Sequence, residues 1–331
     1  MEFGRYTHRM VVDLIWFEVR TAERHKFWTP QDALRIAQRL PPESKPFIQP
    51  FNDNGMDTNH ASDVFRFPIQ DPKSFQSVKA IIDDLDHEFH FVSPVKIISL
   101  EIAHDDYLAR GTVSQLAQIA CDRYRYSTHT PGNDWYLYRR KNEGRVYINE
   151  LRNRRQLIQL LESGWQLTDT NSKSADYRRH GYVKTTDNGG DQLPAIKHRA
   201  RDEVTLQGGA LPCHTLQDLE NFDFSSLASL FKYRRLDDDL HPMARYALTA
   251  WSAAQLGRPG LTGKTKRLKQ HGQQRRYRRK HATIIGRYDG TSKFRGSTVA
   301  DDRLNKEVRD QLRALTTAWR KCGVRILTQK K

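Results

Sequence analysis

Val11-Val12-Asp13-Leu14-Ile15-Trp16-Phe17-Glu18-Val19 is a run of β-branched, aromatic and aliphatic residues with isolated polar ones, the composition of a half-buried strand. Downstream, Thr29-Pro30-Gln31-Asp32 reads as a helix start with proline in the first turn. Ala33, Ile36, Ala37 and Leu40 then recur at helical spacing until Pro41-Pro42 ends the helix. Further strands are predicted at 64–69, 95–103, 135–140, 145–148, 180–185 and 199–207, with helices at about 112–124 and 152–163. Residues 41–63 read as loop. Strands and helices mixed without a regular βαβ rhythm predict an α+β fold with a largely antiparallel central sheet and flanking helices.

The chain has 331 residues and a formal net charge of +16, and that charge is localised. Residues 258–331 carry 22 Lys/Arg against 5 Asp/Glu, whereas residues 1–257 carry 33 against 34. A helix is expected at about 242–256. The next stretch holds Lys264, Lys266, Arg267, Lys269, Arg275, Arg276, Arg278, Arg279 and Lys280 with no acidic residue among them. A last helix at about 298–321 places Leu304, Val308, Leu312, Leu315 and Trp319 on one face, to pack on the body or on a partner helix. The expected division is a mixed strand-and-helix unit over 1–236, a helical connector over 237–257 and a basic, helical C-terminal region over 258–331 suited to nucleic acid; the resemblance described below makes the first unit the catalytic nicking and origin-binding domain. Cys121, Cys213 and Cys322 are far apart and form no CxxC, which suits a reducing compartment rather than a disulfide framework or a zinc site. No run of eighteen apolar residues and no leader pattern is legible, so a cytoplasmic protein without a membrane partner is expected.

Three predicted strands carry polar residues that can do chemistry. In Ser99-Leu100-Glu101-Ile102-Ala103-His104-Asp105-Asp106, residues 101, 103 and 105 share a face, so Glu101 and Asp105 project together and suit a hard divalent cation. In the 199–207 strand, Arg199, Arg201 and Glu203 share a face, setting a carboxylate beside two guanidiniums able to hold phosphate. Between them lies His180-Gly181-Tyr182-Val183-Lys184-Thr185, with Tyr182 and Lys184 about 7 Å apart along one face. A phenol is only about one part in a thousand ionised at neutral pH, so a nucleophilic tyrosine requires a cation or a base beside it. His104 is read as a structural histidine.

At these residues the sequence resembles the Rep_trans-like rolling-circle replication initiators of plasmids and filamentous phages. The resemblance runs in order through the 11–19 strand, Leu100-Glu101-Ile102-Ala103-His104-Asp105-Asp106-Tyr107, Gly111-Thr112-Val113 running to Tyr124, Trp135-Tyr136-Leu137-Tyr138, Tyr182-Val183-Lys184 and Arg201-Asp202-Glu203, spanning about residues 11–211. It implies a metal-dependent, site-specific DNA nickase and strand transferase. Such an enzyme forms a 5′-phosphotyrosine, leaves a free 3′-hydroxyl for leading-strand synthesis and later rejoins the strands. It implies Tyr182 and Lys184 as catalytic residues, Glu101, Asp105 and Glu203 as ligands of Mg2+ or Mn2+, and Arg199 and Arg201 as DNA contacts. Its partners would be origin DNA, duplex and single-stranded, with a host helicase and polymerase; a homodimer is compatible with it. Arg145-Val146-Tyr147-Ile148-Asn149 also fits the tyrosine strand, so Tyr147 stands as the alternative nucleophile.

No His-hydrophobic-His triplet occurs; His87-Glu88-Phe89-His90, at an apparent strand start, has the wrong spacing for paired histidine ligands. The Gly260-Leu261-Thr262-Gly263-Lys264-Thr265 stretch lacks the spacing of a phosphate loop. The 264–280 run, with Tyr277 among its arginines, predicts DNA contact mainly through phosphate, raising affinity and salt dependence. The same basic region also serves a non-enzymatic origin-binding initiator or DNA-binding regulator, and the same chemistry serves a mobilisation relaxase.

Overall fold

The computed structural model describes residues 6–51, 61–109, 111–128, 135–139, 144–148, 151, 154–169, 175–187, 191–239 and 298–321. In chain order these form β1 (Tyr6–Lys26), α1 (Trp28–Ala37), β2 (Gln49–Pro50), β3 (Ala61–Gln70), α2 (Phe75–Phe89), β4 (Lys96–Leu108), α3 (Val113–Tyr126), β5 (Trp135–Tyr138) and β6 (Arg145–Tyr147). They continue with α4 (Arg154–Glu162), β7 (Gln166–Asp169), β8 (Tyr177–Lys184), β9 (Arg199–Gln207), α5 (Leu216–Asn221), β10 (Arg234–Leu236), β11 (Thr298–Ala300) and α6 (Asp302–Lys321).

Nine strands make one sheet in the order β2-β3-β1-β4-β9-β8-β7-β5-β6, and every neighbouring pair is antiparallel. The α+β architecture expected from the sequence is the one observed. One face of the sheet carries the apolar core. Met10, Val12, Ile15, Phe17 and Val19 of β1 and Leu100 and Ile102 of β4 join Val78, Ile82 and Leu85 of α2 and Leu304, Val308, Leu312 and Trp319 of α6 in a single buried cluster. A second cluster joins Leu116, Ala117 and Ala120 of α3 and Leu157 and Leu161 of α4 to Trp135, Leu137, Leu167, Val183 and Ala200 of the sheet.

The alternation along β1 changes phase at Asp13. Val12 lies opposite Ile102 but Leu14 lies opposite Glu101, so one extra residue bulges between them. Strict alternation would put Asp13 with Ile15 and Phe17 in the core; the bulge frees it from that face.

One expectation is corrected. His87 and His90 do not begin a strand: His87 lies in the last turn of α2 and His90 is its left-handed C-cap (φ 49°). The signals for that helix are Phe75, Val78, Ile82, Leu85 and Phe89 at helical spacing behind a Ser74/Ser77 capping box. The last predicted helix is α6, and it packs on the body. Its Trp319 is fully buried and donates its indole N–H to the Leu219 carbonyl at 3.0 Å, while β10 and β11 tie its N-terminal end to the chain before it. The helix expected at 242–256 and the cations at 264–280 lie outside the described residues. Among the described residues no helix is long and apolar enough to cross a membrane.

Candidate active site

On the face opposite the apolar clusters, β1, β4, β9 and β8 bring together the polar residues of the predicted strands. Ala103 stands across from Glu203, Glu101 across from Thr205, and Tyr182 across from Arg201. Asp13, Glu101 and Glu203 each offer a carboxylate oxygen, and these atoms lie within 4.8 Å of one another. The Tyr182 hydroxyl donates to Glu203 Oε2 at 3.0 Å. Thr205 donates to Glu101 Oε2 at 2.8 Å, fixing that carboxyl from the side.

Three carboxylates this close repel. Burial and then the charge of Glu203 push the Glu101 carboxyl well above its ordinary range, and the two glutamates share a hydrogen bond. Burial and then Asp13 push Glu203 up to about 7. For Asp13, burial alone would act the same way, but the Arg201 and Lys184 charges overcome it and hold the carboxyl below its usual range. An all-oxygen donor set whose negative charge is held apart by shared protons is suited to a hard cation such as Mg2+ or Mn2+. Burial and then Glu203 raise the Tyr182 phenol well above 10, so without added positive charge it stays protonated. Lys184, lowered by burial and then by Arg201, lies near enough to Asp13 for their charges to interact.

The sequence-predicted ligand set is rearranged. Glu101 and Glu203 stand together, but Asp105 does not join them. Its carboxylate receives two hydrogen bonds from Arg201, both 2.7 Å, and pairs with Arg199 Nε at 3.0 Å. Arg201 also pairs with Asp13, so Asp105 holds the guanidinium that holds Asp13. The two arginines, expected to hold phosphate, are therefore engaged within the protein, and Arg201 is buried. Asp13 is the residue that sequence reasoning missed; its only signal was a carboxylate interrupting an apolar strand. Tyr147 is on β6, four strands from Glu203 and roughly 19 Å away by strand spacing.

A second group of potential metal ligands, His8, His104 and Asp106, lies on the helix-packed face. Arg123 binds Asp106 through two hydrogen bonds, 2.8 and 3.0 Å, and His8 Nδ1 approaches the same carboxylate at 2.5 Å. His104, kept neutral with a pKa of about 4 by burial, meets the Tyr233 hydroxyl at 3.0 Å. Tyr233 in turn donates to Asp202 at 2.6 Å, and Asp202 pairs with the buried Arg179. This network joins β1, β4, β8 and β9 to the segment before β10, and the guanidiniums already supply its positive charge.

No protein-family model matches the chain, and no curated protein matches it. Among solved structures it is similar to a rolling circle replication initiator protein from Geobacillus stearothermophilus, at 13% identity over 72% of this chain and 91% of that one, with a TM-score of 0.33.

Proposed function

We propose that this chain is a metal-dependent, site-specific DNA nickase and strand transferase that starts rolling-circle replication, with Tyr182 as its nucleophile. The observation that carries the reading is the Tyr182 hydroxyl seated on Glu203 beside a three-carboxylate cluster on the sheet face opposite the apolar clusters. Asp13, Glu101 and Glu203 would hold a divalent cation, Mg2+ or Mn2+. When bound it supplies Lewis-acid charge that favours the phenolate and offsets charge building on the phosphodiester.

Tyr182 attacks the scissile phosphorus, forming the Oη–P bond as the P–O3′ bond breaks. Its proton passes to the Glu203 carboxylate, which accepts the Tyr182 hydrogen bond at 3.0 Å. The departing 3′ oxygen takes a proton from water, and the 5′-phosphotyrosine keeps the bond energy for rejoining. Lys184, on the same strand face two residues on, lends positive charge to the phenolate and the phosphate. Asp105 and Arg201 position Asp13. The 3′-hydroxyl would prime a polymerase, and because a nick alone does not unwind DNA, a helicase would act with it. The C-terminal cations would hold duplex origin DNA through phosphate.

The test is covalent adduct formation on origin DNA, supercoiled and single-stranded, with Mn2+ or with EDTA, resolved on denaturing gels. Adduct is expected with metal only, to be abolished in Tyr182→Phe, to fall at least about a hundredfold in Asp13→Asn, and to persist in Tyr147→Phe. DNA bound tightly without adduct in wild type would support the non-enzymatic initiator instead.

A further inference from the structure

Resting on the nickase reading, we propose that the β5–β6 end of the sheet is a stacking platform for the unpaired bases of the strand being cut. Tyr136 and Tyr138 alternate with Trp135 and Leu137, which belong to the core, so both tyrosines point to the opposite face. Tyr147 lies across from Tyr136 and shares that face, as does Arg145. Through Thr168 and His180 the same cross-strand row continues from Tyr136 to Glu203. The platform and the nucleophile therefore share one surface, with three strand spacings, roughly 14 Å, between β8 and β6.

The rings adjoin one another, inclined at 54° to 72°. Tyr136 lies 6.2 Å from Tyr138 and 6.0 Å from Tyr147 between centroids, and Tyr138 meets His180 edge-on at 6.5 Å. Arg145 stands over Tyr136 at 4.9 Å, and Arg178 shares the His180 and Tyr182 face of β8. Tyr147 is 40% exposed. Aromatic rings interleaved with guanidiniums match the chemistry of a nucleic-acid single strand, flat bases strung on a polyanion. Bases inside a duplex are already stacked, so the ligand is DNA melted beside the nick. Stacking tolerates any base, so the platform holds the strand and leaves origin choice to other contacts.

The experiment measures binding of a fluorescein-labelled oligothymidylate to the full chain in EDTA, where no nicking contributes. Salt is raised so that phosphate contacts weaken and stacking decides. Replacing both Tyr136 and Tyr147 by Ala should weaken binding roughly tenfold or more, and replacing both by Phe, which keeps the rings, should change it less than about twofold. An Ala pair that binds like wild type, or a Phe pair as weak as the Ala pair, overturns the proposal. Should the Ala pair fail to fold, photocrosslinking of wild type to an oligonucleotide carrying 5-iododeoxyuridine decides. Crosslinks to Tyr136, Tyr138 or Tyr147 support the platform, and their absence overturns it. Failure of the nickase reading looks different: binding then depends on the platform tyrosines while no adduct forms on Tyr182.

Discussion

In the proposed reaction Glu203 meets two demands, accepting the Tyr182 proton and helping to hold a cation, and its buried carboxyl sets a pH dependence in the metal-free chain. The folded chain holds its pKa at about 7 against an ordinary 4.5, so between these values the folded state keeps a proton that the unfolded state has released. The stability owed to this group is complete below about pH 4.5 and is lost as the pH rises through 7, a loss of roughly 3 kcal/mol. In EDTA, Glu203→Gln should therefore match wild type in thermal midpoint near pH 4.5 and exceed it at pH 8. Midpoint curves that run parallel with pH would contradict this. Asp13, beside it, shows why part of the site was hidden from the sequence. Period-two alternation assigns a residue to a face only while the strand is regular, and the bulge at Asp13 reverses that assignment. Glu101, Glu203 and Tyr182 lie on regular strands and were legible by alternation. Asp105 was placed on the correct face, but alternation could not show that Arg201 lies directly across from it and takes its carboxylate.

At the scale of elements, α6 is the piece whose role the structure changes most. Its charge pattern groups it with the basic C-terminal region, yet its apolar face closes the main core over β1. Trp319→Ala should cost about 3 to 5 kcal/mol by opening a cavity beside Phe224 and leaving the Leu219 carbonyl without its donor. Chemical denaturation checks this; a change under about 1 kcal/mol would show that α6 is dispensable to the body. The long strands and α1, α3, α4 and α6 were legible because periodicity over nine or more residues averages out local irregularity. β7, with Leu167 as its one apolar residue among Gln166, Thr168 and Asp169, carries too little pattern to be read, and α2 was obscured where Phe89 and the histidines at its C-terminal end look strand-like.

For the whole molecule, charge and chemistry are separated along the chain. The proposed reacting groups lie on a sheet built by nearly neutral sequence, while residues 258–331 carry 22 cations against 5 anions. Replacing Arg275, Arg276, Arg278, Arg279 and Lys280 by Gln should lower duplex affinity and flatten its dependence on salt by about 0.9 in log–log slope for each phosphate that is no longer neutralised. Nicking of a saturating single-stranded oligonucleotide should be unchanged. A salt slope equal to wild type would place the duplex-binding cations elsewhere. The central claim, that one tyrosine on this sheet becomes covalently joined to DNA, is tested most directly by mass spectrometry of the trypsin-digested adduct. The account predicts a 5′-nucleotide phosphate on the peptide His180–Lys184, at Tyr182; a nucleotide on the peptide containing Tyr147, or on no tyrosine at all, would contradict it.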